Sequence, residues 1–182
     1  MALLNILDVN RLDQFETLHR TSRPVDEVTP RIRTLLDDMY ETMLNAAGVG
    51  LAAPQVGVLR RVVVIQIPDG ERLNLVNPEI VDFSGEQEGQ EGCLSVPGEC
   101  GIVRRPAKVT VSALNENGEP VTVEGEGLLA RALCHEIDHL DGIIYTDRAE
   151  RMLTPEELEE AEKAAEEEAG ASRPKKYKLR KK

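Results

Sequence analysis

The five residues His135-Glu136-Ile137-Asp138-His139 restrict what this chain can become more than any other stretch, because they cooperate only on a helix. Positions i and i+4 of an α-helix lie on one face. Two imidazoles on that face can ligate one metal ion, and the intervening Glu can reach a water on that ion. Such an arrangement makes a nucleophile from water near neutral pH. The flanking residues agree, since Leu128 to Leu140 reads as an apolar helix that ends near Gly142. The plain alternative is two helix-face histidines beside a surface glutamate. The chain's third histidine, His19, is remote in sequence and reads as a surface residue or a local hydrogen-bond partner.

The rest of the pattern mixes helix and strand. Thr29-Pro30 is an N-cap followed by an N1 proline. Ile32, Leu35, Leu36, Met39, Met43 and Leu44 then recur at helical spacing, with Gly48 as the expected C′ stop. Gly48 to Gly57 reads as a small-residue loop where backbone can approach a ligand. Arg61 to Ile67 is a β-branched, buried strand candidate, followed by shorter ones at Leu73 to Val76 and Glu79 to Phe83. Lys108 to Leu114 and Val121 to Val123 flank the turn signal Asn117-Gly118. Thr154-Pro155-Glu156-Glu157 is a capping box with leucines at its staple positions, Leu153 and Leu158. The helix it opens runs to about Ala169, is rich in Glu and has a poor apolar face; Gly170 is its expected end.

At 182 residues the chain suits one domain, residues 1–150, with an appendage at 151–182. No stretch approaches the length of a membrane span, and the start lacks the basic n-region and apolar core of a signal peptide. Three cysteines, none in a CxxC, argue against a disulfide framework and fit a reducing cytosol. The net charge of −11 is uneven: the last twelve residues hold seven Lys or Arg and no acid, leaving −18 on the first 170. Such a body repels nucleic acid, whereas the tail attracts it.

Two histidines leave a catalytic metal one protein ligand short of the usual three. Asp, Glu and Cys are the candidates, since no histidine follows His139. Cys93 stands in Glu91-Gly92-Cys93-Leu94-Ser95-Val96-Pro97-Gly98, which reads as a loop flanked by Gly and Pro, and a thiolate there is a soft ligand for Zn(II) or Fe(II). Three blocks together, Gly48-Val49-Gly50-Leu51-Ala52-Ala53-Pro54-Gln55, Glu91-Gly92-Cys93-Leu94-Ser95 and His135-Glu136-Ile137-Asp138-His139, resemble peptide deformylase in content, order and spacing. The resemblance spans about residues 25 to 150.

The resemblance implies a cytoplasmic bacterial hydrolase that removes the formyl group from the N-terminal methionine of nascent chains. It implies an α+β fold, with antiparallel or mixed strands around the helix carrying His135 and His139, plus an N-terminal and a C-terminal helix. It assigns Cys93, His135 and His139 to one divalent metal ion. Fe(II) is the expected native ion, with Zn(II), Ni(II) or Co(II) as substitutes. Glu136 is the implied proton shuttle, and the Gln55 amide and the Leu94 backbone N–H the implied oxyanion donors. The peptide would lie along Val49-Gly50 as an added strand, with its methionine near Val49, Gly50, Glu91, Ala132 and His135. The family's looser C-terminal pattern further suggests that the basic tail, Arg173 to Lys182, contacts ribosomal RNA.

The chain departs from the family before residue 24, where a Pro-rich start is usual, and at Cys134, where many members have Gln. Cys134 and Cys100 read as structural. Asp138 reads as either solvated or paired with Arg104 or Arg105. Two rivals stand beside the main reading. A zinc endopeptidase would leave Gly48 to Gln55 and Cys93 without a purpose. A non-catalytic, zinc-stabilised ribosome-binding module would need neither Glu136 nor Gln55.

Overall fold

The computed structural model describes residues 1–171. Its elements run α1 (Leu12–Leu18), α2 (Pro30–Asn45), β1 (Gly50–Ala52), β2 (Val62–Ile65), β3 (Leu73–Ser84), β4 (Gln87–Cys93), β5 (Val96–Arg105), β6 (Lys108–Leu114), β7 (Pro120–Glu126), α3 (Leu128–Leu140), β8 (Arg151–Met152) and α4 (Pro155–Ala171). A 3-10 turn, Ala53–Val56, follows β1. One sheet has the order β1-β2-β3-β6-β7 and the other β4-β5-β8. Every strand pair in both is antiparallel. This is the α+β class expected.

Strand β2 explains how the larger sheet organises the molecule. Val62, Val63, Val64 and Ile65 are all fully buried. Successive side chains of a strand point to opposite faces. Val63 and Ile65 accordingly join Ala52, Leu75, Val111, Leu133 and Leu140, so one face of the sheet packs against α3. Val62 and Val64 join Leu36, Met39 and Met43, so the other face packs against α2. The helix carrying His135 and His139 is thus enclosed, and every residue from Ala130 to Leu140 is buried. A smaller cluster of Leu18, Val96, Val103, Ile144 and Tyr145 joins α1 to the second sheet.

Several local expectations change. Helix α2 opens as expected, with the Thr29 hydroxyl accepting from the Ile32 N–H and Pro30 leading the first turn. Its left-handed closing residue, however, is Ala47 at φ 54°, not Gly48. The bonds from the Ala47 N–H to the Leu44 carbonyl and from the Gly48 N–H to the Met43 carbonyl, each 3.0 Å, form a Schellman ending. Gly48 has a packing reason instead, because a Cβ there would stand 2.8 Å from Leu94 Cδ1. The stretch read as a loop after it contains β1, paired to β2 from Gly50↔Ile65 to Ala52↔Val63.

The two short candidates at 73–76 and 79–83 are one strand, β3, with a shifted register between Val76 and Glu79. Asn77 makes the irregularity tolerable. It sits at φ 51°, and its side-chain amide bonds both the N–H and the carbonyl of Val25 at 2.8 Å. The β4–β5 hairpin escaped the sequence reading. Strand β4, Gln-Glu-Gly-Gln-Glu-Gly-Cys, has no β-branched residue and buries only Glu91. Cys93 therefore ends a strand rather than sitting within a loop.

The capping box of α4 is reciprocal: the Thr154 N–H donates to Glu157 Oε2 at 2.9 Å, and the Glu157 N–H to Thr154 Oγ1 at 3.3 Å. The helix contains no buried residue and passes through Gly170 instead of stopping there. The basic stretch from Arg173 onward lies outside the described residues. No helix among those described is long and apolar enough to cross a membrane.

The N-terminal segment, unassigned in the sequence, ties the site-bearing elements together. The Leu7 N–H bonds the Gln55 carbonyl at 2.8 Å, and the Val9 N–H bonds the Ser95 carbonyl at 3.0 Å. After α1 the chain crosses the end of α3, where the Ser22 N–H caps the Leu140 carbonyl at 2.8 Å. Gly142 permits that crossing. It adopts φ 73°, and a Cβ on it would lie 2.7 Å from the His19 carbonyl carbon. Gly142→Ala should therefore lower stability by about 2–3 kcal/mol, read from urea denaturation at fixed metal content. A loss below ~0.5 kcal/mol would show that this crossing yields easily.

Candidate metal centre and active site

Helix α3, the end of β4 and the 3-10 turn converge on one point. The potential ligand atoms of Cys93, His135 and His139 all lie within 4.8 Å of one another. Cys93 Sγ is 3.4 Å from His139 Nε2. Atoms bound about 2.0–2.3 Å from one ion at tetrahedral angles stand roughly 3.3–3.7 Å apart, so this spacing suits a shared ion. One sulfur and two imidazole nitrogens are also donors that first-row divalent ions accept.

The orientation of His135 is set from behind. Its Nδ1 lies 2.8 Å from Glu91 Oε2. Burial alone would raise the Glu91 carboxyl, but hydrogen bonds and charges from Arg105 and His135 hold it at about 2. An ionised carboxylate only accepts, so Nδ1 carries a proton; although burial lowers it, hydrogen bonds to Cys93 and Glu91 raise His135 well above the usual histidine range, and a bound cation would take the Nε2 lone pair in place of the second proton. The same carboxylate accepts from Arg105 Nε at 2.8 Å, Arg105 Nη2 at 3.0 Å and Arg131 Nη1 at 2.9 Å. Arg105 also donates to Asp138 Oδ2 at 2.6 Å, and Arg148 Nε bonds that oxygen at 2.6 Å. Asp138 is therefore paired with Arg105, while Arg104 pairs with Glu150 at 2.7 Å. The Tyr145 ring stacks on His135 with centroids 6.0 Å apart. Burial, then the charges of His135 and Arg105, hold His139 well below the usual histidine range.

Glu136 lies beside the cluster with Oε2 buried and unpartnered. An unsatisfied buried carboxylate oxygen is costly and aims at something that binds there. Burial lifts its carboxyl to about 7, against the opposing His135 charge. Gly50 makes room for it: a Cβ on Gly50 would meet Glu136 Oε1 and stand 2.8 Å from its Cδ. Gly50 thus accommodates the carboxylate as well as any ligand that approaches.

Gln55 is 1% exposed and held at both ends. Its Oε1 accepts from the Ala52 N–H at 2.9 Å, which turns Nε2 toward Cys93 Sγ at 3.4 Å and Ser95 Oγ at 3.2 Å. Above these groups opens a cleft of about 580 Å³ lined in part by Val49, Leu94, Leu128 and Ala132. Of the residues singled out in the sequence, all border this cleft except His139, which lies at its floor against Cys93. Glu91 is the one whose surroundings differ from expectation: its side chain is 3% exposed and both oxygens are occupied, so it offers no free carboxylate to a peptide.

The sequence reading gave no role to Ser95 or Arg131, saw Arg105 only as a possible partner of Asp138 and not of Glu91, and did not place the α4 residues Leu158, Ala161, Glu162 and Ala165 at the cleft. Ser95 lies inside the Cys93 block and was visible there. The bonds of Arg105 and Arg131 to Glu91 gave no signal, because they follow from the placing of β4 against β5 and α3, which was itself unread. Cys134 packs in the core, and burial pushes its thiol to about 11.

A mixed helix-and-sheet fold with two histidines, a cysteine, a glutamate and a buried amide around one cleft defines a metal-dependent amide hydrolase. Residues 6–154 match the family model for polypeptide deformylase. A peptide deformylase of Acetivibrio thermocellus is 60% identical over 149 residues, covering 82% of this chain and 87% of the relative. The crystal structure of a Legionella pneumophila peptide deformylase superposes with a TM-score of 0.76 at 42% identity, covering 95% of this chain and 100% of the other. That of an Ehrlichia chaffeensis peptide deformylase in complex with actinonin gives 0.78 at 37% identity, covering 92% and 98%. The chain belongs to the polypeptide deformylase family, hydrolases that remove the N-terminal formyl group.

The Gly50–Glu136 contact generates a prediction. Gly50→Ala should displace the carboxylate and lower formate release by about 10²-fold while metal content stays unchanged, since a misplacement near 1 Å costs about that much. Near-normal turnover would show that Glu136 tolerates the shift.

Proposed function

We propose that this cleft deformylates N-formylmethionyl peptides through Cys93, His135, His139, Glu136, Gln55 and Leu94. The observation that carries the assignment is the meeting of three ligand atoms beside the unpartnered Glu136 oxygen. A divalent cation bound by Cys93 and the two imidazoles would polarise a water enough to make it a nucleophile near neutral pH. Glu136 takes the proton from the attacking water and returns it to the departing amine. Its buried position keeps that proton from bulk solvent between the two transfers. Gln55 Nε2 and the Leu94 N–H receive the negative charge that develops on the formyl oxygen. Donors fixed before the reaction need no reorganisation, and each is worth about 10²–10³ in rate. The anchored Gln55 side chain suits that role.

The substrate enters as an extended peptide along β1. This strand ends the order β1-β2-β3-β6-β7, so its outer edge is available for a second backbone partner. Ala132 and the exposed Val49 and Leu128 border the space for the methionine side chain. Neither an endopeptidase nor a structural zinc site accounts for Gln55 held beside the sulfur.

Fe(II) is the proposed native ion, because a His₂Cys set with an open position admits an extra ligand that zinc, content with four, accepts less readily. Metal analysis after anaerobic purification, paired with formate release from formyl-Met-Ala-Ser, tests metal and reaction together. Glu136→Ala should retain metal and fold and lose nearly all turnover; substantial residual activity removes it as the proton carrier. Cys93→Ala should lose metal affinity, and full occupancy by metal analysis would exclude the sulfur as a ligand.

Residues 1–150 form the proposed catalytic unit, supported by a family match that ends at residue 154. The enzyme would act in the cytoplasm on chains emerging from ribosomes. Its three free cysteines suit that reducing compartment. The seven basic residues after Gly170 would dock it to ribosomal RNA by counterion release. Co-sedimentation with ribosomes at low salt should then weaken for a chain ending at Gly170. Equal binding by that chain excludes the tail.

A further inference from the structure

We propose that Ser95 is a positioning residue for the reaction: its hydroxyl oxygen holds the Gln55 amide so that one Nε2 hydrogen faces the incoming formyl oxygen. The proposal rests on the reading of the cleft as a deformylase site with Gln55 as an oxyanion donor.

Ser95 is fully buried and does not line the cleft, so it acts through another group. That group is an amide, whose nitrogen has two hydrogens to place. In Gln55 the sense of the amide is set by Oε1, which accepts from the Ala52 N–H at 2.9 Å. A flipped amide would bring two donors face to face there. One bond to Oε1 still leaves the amide plane free to swing. The second bond, from Nε2 to Ser95 Oγ at 3.2 Å, stops it. Ser95 thereby takes one hydrogen and leaves the other on the side of Cys93 Sγ, 3.4 Å away, where the formyl oxygen would arrive.

The placing of Ser95 follows from the hairpin. Leu94 and Ser95 form the two-residue turn between Cys93 and Val96, the last paired residues of β4 and β5. The other oxyanion donor, the Leu94 N–H, belongs to the same turn. Ser95 thus fastens a side-chain donor from the 3-10 turn to the element that presents the backbone donor. The N-terminal segment fixes the same two residues from behind, with the Leu7 N–H on the Gln55 carbonyl and the Val9 N–H on the Ser95 carbonyl. Donors locked to one another need no reorganisation as charge develops. Without the serine oxygen a buried N–H loses its acceptor, and the amide shifts to whichever arrangement satisfies it. Stranding one such donor changes an equilibrium by roughly 5–100-fold.

The test compares S95A, Q55A and S95A/Q55A as full metal-loaded chains acting on formyl-Met-Ala-Ser. S95A should lower kcat roughly 5–100-fold and leave KM nearly unchanged, with normal metal content and urea midpoint. In the Q55A background the same change should cost less than about twofold, because the two residues act as one unit. In the ¹⁵N-labelled, zinc-loaded chain the Gln55 side-chain amide hydrogens, identified by their absence from Q55A, should exchange roughly 5–10-fold faster in S95A. A normal kcat in S95A, an equal loss in both backgrounds, a change confined to KM, or unaltered amide exchange would each overturn the proposal. So would loss of metal or fold in S95A, which would make the serine merely structural. Absence of formate with the unsubstituted chain would instead overturn the deformylase reading.

Discussion

A single buried carboxylate organises the centre of this molecule. Glu91 joins β4 to β5 through Arg105 and to α3 through Arg131 and His135. Burying an ion is expensive, and removing one partner of a buried pair typically costs about 3–5 kcal/mol because the survivor is stranded. Glu91 escapes that penalty by having every partner close. The smaller sheet and α3 are thereby held in one arrangement, since a small slide would strand several charges together. The energy that fixes the fold and the tautomer that exposes a lone pair on His135 come from the same contact.

Around that core the site is assembled from fragments remote in sequence, each rigid for its own reason. The imidazoles stand on a helix whose residues from Ala130 to Leu140 are buried. The sulfur terminates a strand, and Gln55 is clamped by the Ala52 N–H. Even the N-terminal segment contributes, by bonding the Gln55 and Ser95 carbonyls with the N–H groups of Leu7 and Val9. Catalytic groups held by packed elements lose little further freedom on meeting a substrate, which is how preorganisation lowers a barrier.

Much of this was legible because local chemistry spoke clearly. The α3 helix, the start of α2 and the reciprocal box of α4 follow from periodicity and capping residues, and they stand within a residue or two of expectation. The strand β2 was evident from its β-branched run. What stayed hidden was governed by distant contacts. Strand β4 has glycines and glutamates where strands usually have valines, and it forms because Glu91 has cations to meet on β5 and α3. The bridging of two candidate strands into β3 depends on Asn77 finding Val25, fifty-two positions away. Ala47 rather than Gly48 takes the left-handed turn, while Gly48 leaves room for Leu94 from a distant block. The grouping of Cys93, His135 and His139 was recoverable from chemistry and family likeness, whereas the reason His135 faces inward was not.

Strand β1 is only three residues long, and it ends its sheet. Long exposed strand edges invite other copies of a protein to zip alongside, a common beginning of aggregation. An edge this brief, recessed beside a buried glutamate, has too few backbone groups to hold a folded neighbour's strand. It still has enough to grip the first residues of a loose chain end. In the proposed binding mode, brevity would separate guests by their freedom of movement, admitting a newborn terminus and leaving finished proteins unbound.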